Sequence, residues 1–285
     1  MKLDKRKIEE NFFKTLMIGS TLIILAGLAL ILALVIAKGI KAMNLDMLTR
    51  TPQGGYYLGK EGGILNAILG SLYLAGGASV VAILISLCIV LSINVYAKFG
   101  SRWVNFIRFS LDVLWGVPSI VYGAFGLGVM LFLGVKASLL SGIIVVALLI
   151  LPIMTRIMDE VLRMIPKDLF DASYALGATK LETALKVIVR QALPGISTAV
   201  LISFGRGIGD AASVIFTTGF TDSIPQSLFA PVATLPLAIF FQLGSPIAEV
   251  QGRAYAASLI LTLIILAVSI VSRLLNKKLT EHVLD

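Results

Sequence analysis

The chain is poor in the residue types that build disulfides, metal sites and charged surfaces. It has one cysteine, Cys88, and one histidine, His282, so an intrachain disulfide is impossible and no metal site is expected. Charged residues make up only 14% of the chain, against about 25% in a soluble globular domain. A Gly-x-x-x-x-Gly-Lys-Ser/Thr nucleotide-binding loop is also absent, so we expect no ATP or other cofactor on this chain by that route.

Long apolar runs take the place of the missing charges. Hydrophobic residues make up 58% of the chain, and runs of about 20 of them mark helices that cross a membrane. The sequence therefore predicts an all-α membrane protein with six spans, at about 16–37, 64–96, 104–134, 139–157, 196–220 and 254–275. We expect one transmembrane domain over residues 16–275, with a terminal segment 1–15 before it and a tail 276–285 after it.

Lysines and arginines are distributed unevenly among the connections between these runs. Seventeen fall on the side that holds both termini and the segment 158–192, six fall on the other side, and Arg206 lies within a span. Basic connections of membrane proteins are retained in the cytoplasm. We therefore expect both termini and residues 158–192 to be cytoplasmic in a multi-pass protein. The net charge of +8 follows from this bias and does not indicate nucleic-acid binding.

The polar segment 158–192 has the pattern of two short amphipathic helices with a turn between them. Apolar residues recur at helical spacing in each half: Ile165, Leu169, Ala172 and Leu176, then Leu181, Leu185, Ile188 and Ala192. Gly177 can adopt the left-handed conformation that ends the first helix. Thr179 and Glu182 have the spacing of a capping box, and Pro194 is expected to end the second helix. Such a hairpin is expected to dock a partner; a hairpin that binds nothing is the alternative.

This segment resembles the EAA loop of ABC importer permeases. The matching residues are the triplet Asp171-Ala172-Ser173, the pair Gly177-Ala178 and the ending Leu193-Pro194. The triplet departs from the family pattern at its first and third positions. The resemblance implies the type I importer permease fold (MetI-like), with six membrane helices and a coupling segment over 158–192. In that family the loop forms the coupling helix that sits in a groove of a cytoplasmic ATPase.

A pair of opposite charges lies within the fifth apolar run. A charge in the hydrocarbon core costs about 2.5–3.5 kcal/mol on insertion scales, so such residues usually face a bundle interior or a water-filled path. Arg206 and Asp210 are one helical turn apart and can pair. Because a guanidinium binds oxyanions through a planar fork, we expect an anion path here, with Ser119, Thr217 and Thr218 as neutral donors. The alternatives are a structural ion pair and hydroxyls bonded to their own backbone.

The residues around this pair resemble the A-type permeases of phosphate importers. Arg206, Gly209 and Asp210 match an ARAxGE-type motif, Phe216-Thr217-Thr218-Gly219 the run after it, and Val117-Pro118-Ser119-Ile120-Val121 a Val-Pro-Ser-Ile-Val sequence. The likeness runs from about Gly62 to the C-terminus. Three positions differ, since Asp210, Ala211 and Ser213 stand where the family has Glu, Thr and Pro. Importers of sulfate, molybdate or phosphonate share the layout, so the ion stays open.

The resemblance also implies partners and a location. These are a second permease (PstC-like), an ATPase dimer (PstB-like) that holds ATP and Mg, and an extracytoplasmic phosphate-binding protein (PstS-like). A PhoU-like regulator is a further partner that the resemblance allows. The chain itself would lie in the lipid of a bacterial or archaeal inner membrane and would not be an enzyme.

Two further sequence features have competing interpretations. Arg108 and Asp112, one turn apart in the third run, are predicted to form a structural or gate-closing pair. Gly207-Ile208-Gly209-Asp210 matches the GxGD signature of intramembrane aspartyl proteases, with Asp112 as a second aspartate, but Leu111 stands where that class has a tyrosine. A secondary transporter or channel that works alone is the other rival. It is disfavoured by the hairpin at 158–192, which calls for a partner.

Overall fold

The computed structural model describes residues 2–53, 61–97 and 101–280, which are helical apart from irregular connections and one short strand pair. The helices are α1 Lys2–Ala42, α2 Leu45–Thr49, α3 Leu65–Leu91, α4 Arg102–Trp115, α5 Ser119–Leu133, α6 Leu139–Arg163, α7 Lys167–Ala175, α8 Lys180–Glu182, α9 Val189–Ile208, α10 Leu235–Leu243 and α11 Ala248–Thr280. Wider π-helical turns extend α3 over Ser92–Tyr96 and join α8 to α9 over Thr183–Ile188. The strands β1 Pro52–Gln53 and β2 Glu61–Gly62 pair antiparallel.

Five of these helices, or helix combinations, are long and apolar enough to cross a membrane: α1, α3, α6, α8–α9 and α11. The predicted third span is instead a bent pair, because α4 and α5 meet at 99° across Gly116, Val117 and Pro118. A proline disfavours helical backbone at the residue before it, and Pro118 itself has extended backbone with ψ 139°. The predicted span over 104–134 is therefore a bent pair of helices, and six spans result if the pair counts as one.

The fifth span also differs from its predicted bounds. Its helix starts in the coupling segment and continues through Pro194, where we expected it to end. Membrane helices tolerate an internal proline when other groups bond the freed backbone. The carbonyl that loses its helical donor here is that of Arg190, four residues before Pro194. One turn further on, the hydroxyls of Ser197 and Thr198 donate to the Pro194 carbonyl at 2.8 and 2.9 Å. At the other end α9 stops at Ile208 rather than near residue 220, and irregular backbone follows as far as Thr234.

The core of the bundle forms around α6. This helix packs against α3 and α9, with Val146, Ile150, Met154 and Met158 fully or almost fully buried between them. The facing side of α3 is built from alanines, which let the two helices approach closely. A second apolar cluster joins α2, α3, α10 and α11. The short helix α10 lies between the irregular segment after α9 and the start of α11.

The helix α1 lies at the periphery of the bundle. No part of its most apolar window is buried, and it meets α11 near its C-terminal end. There Gly39 lies against the backbone carbonyl of Tyr255 and the side chain of Leu259, and the Lys38 ammonium lies 4.7 Å from the centre of the Tyr255 ring. Most of the apolar surface of α1 therefore faces outward, as expected for a helix in lipid.

The close approach of α5 to the irregular segment after α9 leads to a stability prediction. A Cβ on Gly123 would lie 2.7 Å from the carbonyl oxygen of Ser213 and 2.9 Å from that of Ala212. Gly123→Ala should lower the thermal unfolding midpoint of the purified chain, since overpacking costs about 1–3 kcal/mol. Gly128→Ala on the same helix is the control, because a Cβ there meets open space. Equal midpoints for the two variants would contradict this packing.

Candidate functional site

The coupling segment folds as the predicted helical hairpin. Gly177 ends α7 with φ +83°, a left-handed conformation that favours glycine. The Thr179 hydroxyl accepts from the Glu182 backbone N–H at 3.3 Å, and the Glu182 carboxylate accepts from the Thr179 N–H at 3.1 Å. The predicted turn and capping box are thus confirmed. A hydrogen bond of 2.9 Å between the hydroxyls of Ser173 and Thr183 joins the two halves.

The apolar faces of the hairpin differ from those predicted. Of the predicted apolar positions, Ile165, Ile188 and Ala192 are buried, whereas Ala172, Leu176, Leu181 and Leu185 are exposed. Ser173, Thr183 and Ala184 are buried as well, and Asp171 is exposed. The π-helical turn at Thr183–Ile188 changes the spacing of inward positions, so that Leu181 and Leu185 point away from the core. Leu176 is 89% exposed. We call the three exposed leucines of the hairpin, Leu176, Leu181 and Leu185, the docking patch.

A shallow concavity of about 300 Å³ lies beside the docking patch. It is lined by Leu176, Gly177, Ala178, Glu182 and Lys186, among others. Lys186 and Glu182 form an ion pair of 3.2 Å on its surface. The hairpin therefore presents both a protruding apolar edge and a hollow, which suits insertion of a partner's side chains.

The charged pair at the end of α9 is asymmetrically exposed. The Arg206 side chain is 48% exposed and the Asp210 side chain 4%, and Arg206 Nη2 lies 3.4 Å from Asp210 Oδ1. The other carboxylate oxygen, Asp210 Oδ2, accepts from the Ser213 backbone N–H at 2.8 Å. Asp210 thus caps the irregular turn that follows the helix break at Gly209, a role that sequence spacing alone did not show. Its arginine partner retains donors that a ligand could reach.

The three hydroxyl side chains that were predicted as neutral donors in the anion path lie in different environments. Thr217 and Thr218 are fully buried, and their hydroxyls donate to the backbone carbonyls of Ser213 at 3.4 Å and Val214 at 2.9 Å. This geometry favours the alternative in which these hydroxyls form hydrogen bonds with their own backbone. Ser119 is partly exposed on the first turn of α5, one turn before Gly123 and on its face. Gly123 contacts the Ser213 carbonyl, so Ser119 belongs to the helix that borders the Asp210 turn.

The prediction of an ion pair between Arg108 and Asp112 is wrong. Arg108 instead binds the carboxylate of Asp159 on α6 through two hydrogen bonds, of 2.8 and 2.9 Å. Asp112 pairs with Arg156 at 3.2 Å, and Arg156 also lies 3.6 Å from Asp159. The bend of α4 relative to α5 lays α4 across α6, so that its charges meet α6 rather than one another. Whether these groups act in gating stays a prediction.

Asp159 is the residue that sequence reasoning missed. Its side chain is fully buried, and it also accepts from Asn94 Nδ2 at 2.8 Å, so that α3, α4 and α6 converge on one carboxylate. Asn94 lies within the π-helical turn that extends α3. A carboxylate near the end of a largely apolar helix was a visible signal, because a buried acid needs a partner from elsewhere in the fold.

Solved structures of importers share this architecture. An inward-facing form of the MetNI methionine ABC transporter matches with a TM-score of 0.61 and 18% identity, over 75% of this chain and 94% of that one. A bacterial alginate ABC transporter, in complex with a periplasmic protein that holds an alginate pentasaccharide, matches with a TM-score of 0.66 and 12% identity, over 98% and 99%. The fold is therefore the all-α, MetI-like fold of type I ABC importer permeases, as expected.

Sequence comparison defines the family. Residues 88–281 match the model of the binding-protein-dependent transport system inner membrane component. The phosphate transport system permease protein PstA of Haemophilus influenzae is 31% identical over 272 residues, 94% of each chain. PstA of Mycobacterium leprae is 34% identical over 270 residues, 93% of this chain and 87% of its own. The chain belongs to this family of inner membrane components and, within it, to the PstA permeases.

Membership in this family shows what kind of protein the chain is. It is a membrane-spanning permease subunit of an ABC transporter and not itself the ATPase. It therefore works together with other subunits of such a transporter.

Proposed function

We propose that the chain is the permease subunit through which an ABC importer brings inorganic phosphate into the cytoplasm. One observation carries the proposal: in a PstA-type chain, the end of α9 presents a half-exposed arginine held by a buried acid, Asp210. An arginine keeps its charge and presents several donors to a tetrahedral oxyanion. The ion pair lowers the cost of the charge in the membrane, and the exposed part of the guanidinium is free to bind a passing anion.

We further propose the partners and orientation that this role requires. Both termini and the coupling segment would lie in the cytoplasm, where the docking patch meets an ATPase dimer that holds ATP and Mg. A second permease would complete the path, and an extracytoplasmic binding protein would deliver phosphate on the other side. The docking patch supports this assignment, since its three leucines are all exposed on one hairpin, and groups of exposed apolar side chains mark interaction sites.

Uptake of labelled anions tests the proposal directly. The chain would be co-expressed with candidate partner subunits, and vesicles would be assayed for ATP-dependent uptake of labelled phosphate, sulfate and molybdate. We expect phosphate uptake that requires both this chain and ATP. Uptake of sulfate or molybdate in preference to phosphate would show that the importer carries another oxyanion. Transport by this chain without ATP or partners would contradict the importer role.

The aspartyl protease alternative finds little support in the geometry. Asp112 and Asp210 pair with different arginines, Arg156 and Arg206, and Asp210 also accepts from the Ser213 backbone N–H. Each aspartate thus has its own arginine partner, whereas a catalytic dyad needs two acids that share one proton.

The turn at Gly177 provides a test of the coupling role. Gly177→Val places a β-branched residue in the left-handed region, where a side chain costs about 1–2 kcal/mol. We expect the chain to insert normally, while phosphate uptake and its coupling to ATP hydrolysis fall because the hairpin is distorted. Gly134→Val is the matched control, since Gly134 also has positive φ and open space for a Cβ, but ends α5. Wild-type coupling in Gly177→Val, or an equal loss in the control, would refute the docking role.

A further inference from the structure

A cavity of about 570 Å³ lies behind the coupling segment, at the end of the bundle where α3 and α6 end. It is bounded by the π-helical turn of α3, by α4, by the end of α6 and by α7. Half of its lining residues are apolar, including Val104, Ile165 and Phe170, and the other half are polar or charged. A lining of this kind suits a molecule that is itself amphipathic.

The charged lining residues have an excess of positive charge. Arg108, Arg163 and Lys167 line the cavity, and Asp171 is the one carboxylate among its lining residues. Arg108 is already neutralised by Asp159, which lies behind it. Arg163 and Lys167 together outnumber Asp171, so that the lining carries an excess of one positive charge. An anionic group is the ligand that this balance favours.

The helix α4 indicates the depth of the cavity in the membrane. Its outward face carries Trp103, Phe106 and Phe109, all exposed, while Val104 and Arg108 face the cavity. Aromatic residues, tryptophan above all, are enriched where lipid headgroups meet the hydrocarbon. The cavity thus lies at headgroup level, on the side of the membrane that carries most of the lysines and arginines.

We propose that this cavity binds the headgroup of an anionic phospholipid, with Arg163 and Lys167 contacting its phosphate and the apolar residues contacting its glycerol and upper acyl chains. Basic pockets between membrane helices bind such headgroups. Free inorganic phosphate would satisfy the two cations but would leave the apolar half of the cavity unused. Because Asp171 begins the triplet on α7, the bound lipid lies directly behind the helix that carries the docking patch. The site does not depend on which anion the chain transports.

Lipid titration of the purified full chain tests this site. The delipidated chain in detergent would be titrated with dioleoylphosphatidylglycerol or dioleoylphosphatidylcholine, and bound lipid would be counted by native mass spectrometry. We expect the first tight adduct to be selective for phosphatidylglycerol. Arg163→Gln with Lys167→Gln should weaken that adduct by roughly 5- to 30-fold, from the usual contribution of basic residues near anionic lipid. Both side chains are exposed, so the variant should fold.

Two controls distinguish the site from general electrostatics. Arg190→Gln with Arg273→Gln removes the same charge from exposed positions that do not line the cavity, and it should change the affinity less than about twofold. Ala97→Phe narrows the cavity without changing its charge, and it should weaken the adduct too. Equal losses in the two charge variants, or no selectivity for phosphatidylglycerol, would overturn the proposal. Displacement of the lipid by millimolar inorganic phosphate would assign the cavity to free phosphate instead.

Discussion

Replacing Arg206 with alanine is expected to reduce phosphate uptake by roughly 10- to 100-fold, the equivalent of one charge-assisted hydrogen bond to the substrate. The loss should appear in complexes that assemble normally with the ATPase, because Arg206 is half exposed and is remote from the docking patch in sequence. The measurement is labelled phosphate uptake into vesicles, normalised to the amount of assembled complex.

The buried partner of Arg206 complicates this experiment and also supplies its control. Arg206→Ala leaves the Asp210 carboxylate buried without its cation, which itself destabilises the fold. Asp210→Asn combined with Arg206→Ala removes that charge but keeps an oxygen that can accept from the Ser213 N–H. If the double variant recovers transport, Arg206 is a structural counter-ion only. If it assembles and stays inactive, the anion-path role is supported.

Arg206→Lys separates charge from geometry. It keeps the positive charge near Asp210 but replaces the planar fork with a single ammonium. We expect a substantial loss of uptake in this variant as well, since a tetrahedral oxyanion is held by several donors at once. Wild-type uptake in Arg206→Lys would show that only the charge matters at this position.

Removal of the Asp159 carboxylate is expected to give the largest loss of stability. Asp159→Ala would leave Arg108 in its largely buried position without a carboxylate partner, with only the Asn94 side-chain oxygen at 3.4 Å to accept from it, and loss of one member of a buried ion pair costs about 3–5 kcal/mol. The thermal unfolding midpoint of the purified chain should fall accordingly. Glu160→Gln is the matched control on the adjacent residue: its carboxylate lies 3.7 Å from Arg156 and is 61% exposed, so less than about 1 kcal/mol is expected.

The neutral variant Asp159→Asn refines the test. It keeps the shape of the side chain and one acceptor oxygen for Arg108, so its midpoint should lie between those of wild type and Asp159→Ala. A midpoint for Asp159→Ala that matches the Glu160→Gln control would show that the three helices are held together without this carboxylate.

Local features of the site were predictable from sequence. The left-handed turn at Gly177, the capping box at Thr179 and the pairing of Arg206 with Asp210 all depend on residues at most four positions apart. Backbone geometry determines which side chains meet over such short distances. The membrane-spanning character was equally accessible, because it rests on the length and composition of apolar runs.

The features that escaped prediction depend on contacts between distant segments. Arg108 and Asp159 are 51 positions apart, and hydrophobic periodicity does not reveal which helices cross one another. The helix ends at Trp115 and Ile208 fall inside predicted spans because apolar composition continues across them, although Pro118 and Gly209 are signals for such breaks. Leu185 of the docking patch lies within a π-helical turn, which alters the spacing that an α-helix would impose.

The continuous run from Lys180 to Ile208 has a mechanical consequence. It places two leucines of the docking patch, Leu181 and Leu185, on the same rod as Arg206, and this rod passes α6 where Gly195 lies against Val161. At 1.5 Å per residue, Arg206 is about 16 Å from that contact and Leu181 about 21 Å on its other side. The contact can thus act as a fulcrum: a 10° tilt of the rod about it would shift Arg206 by about 3 Å in the direction opposite to the docking end. A displacement of that size is enough to bring a guanidinium into, or out of, hydrogen-bonding range of an anion.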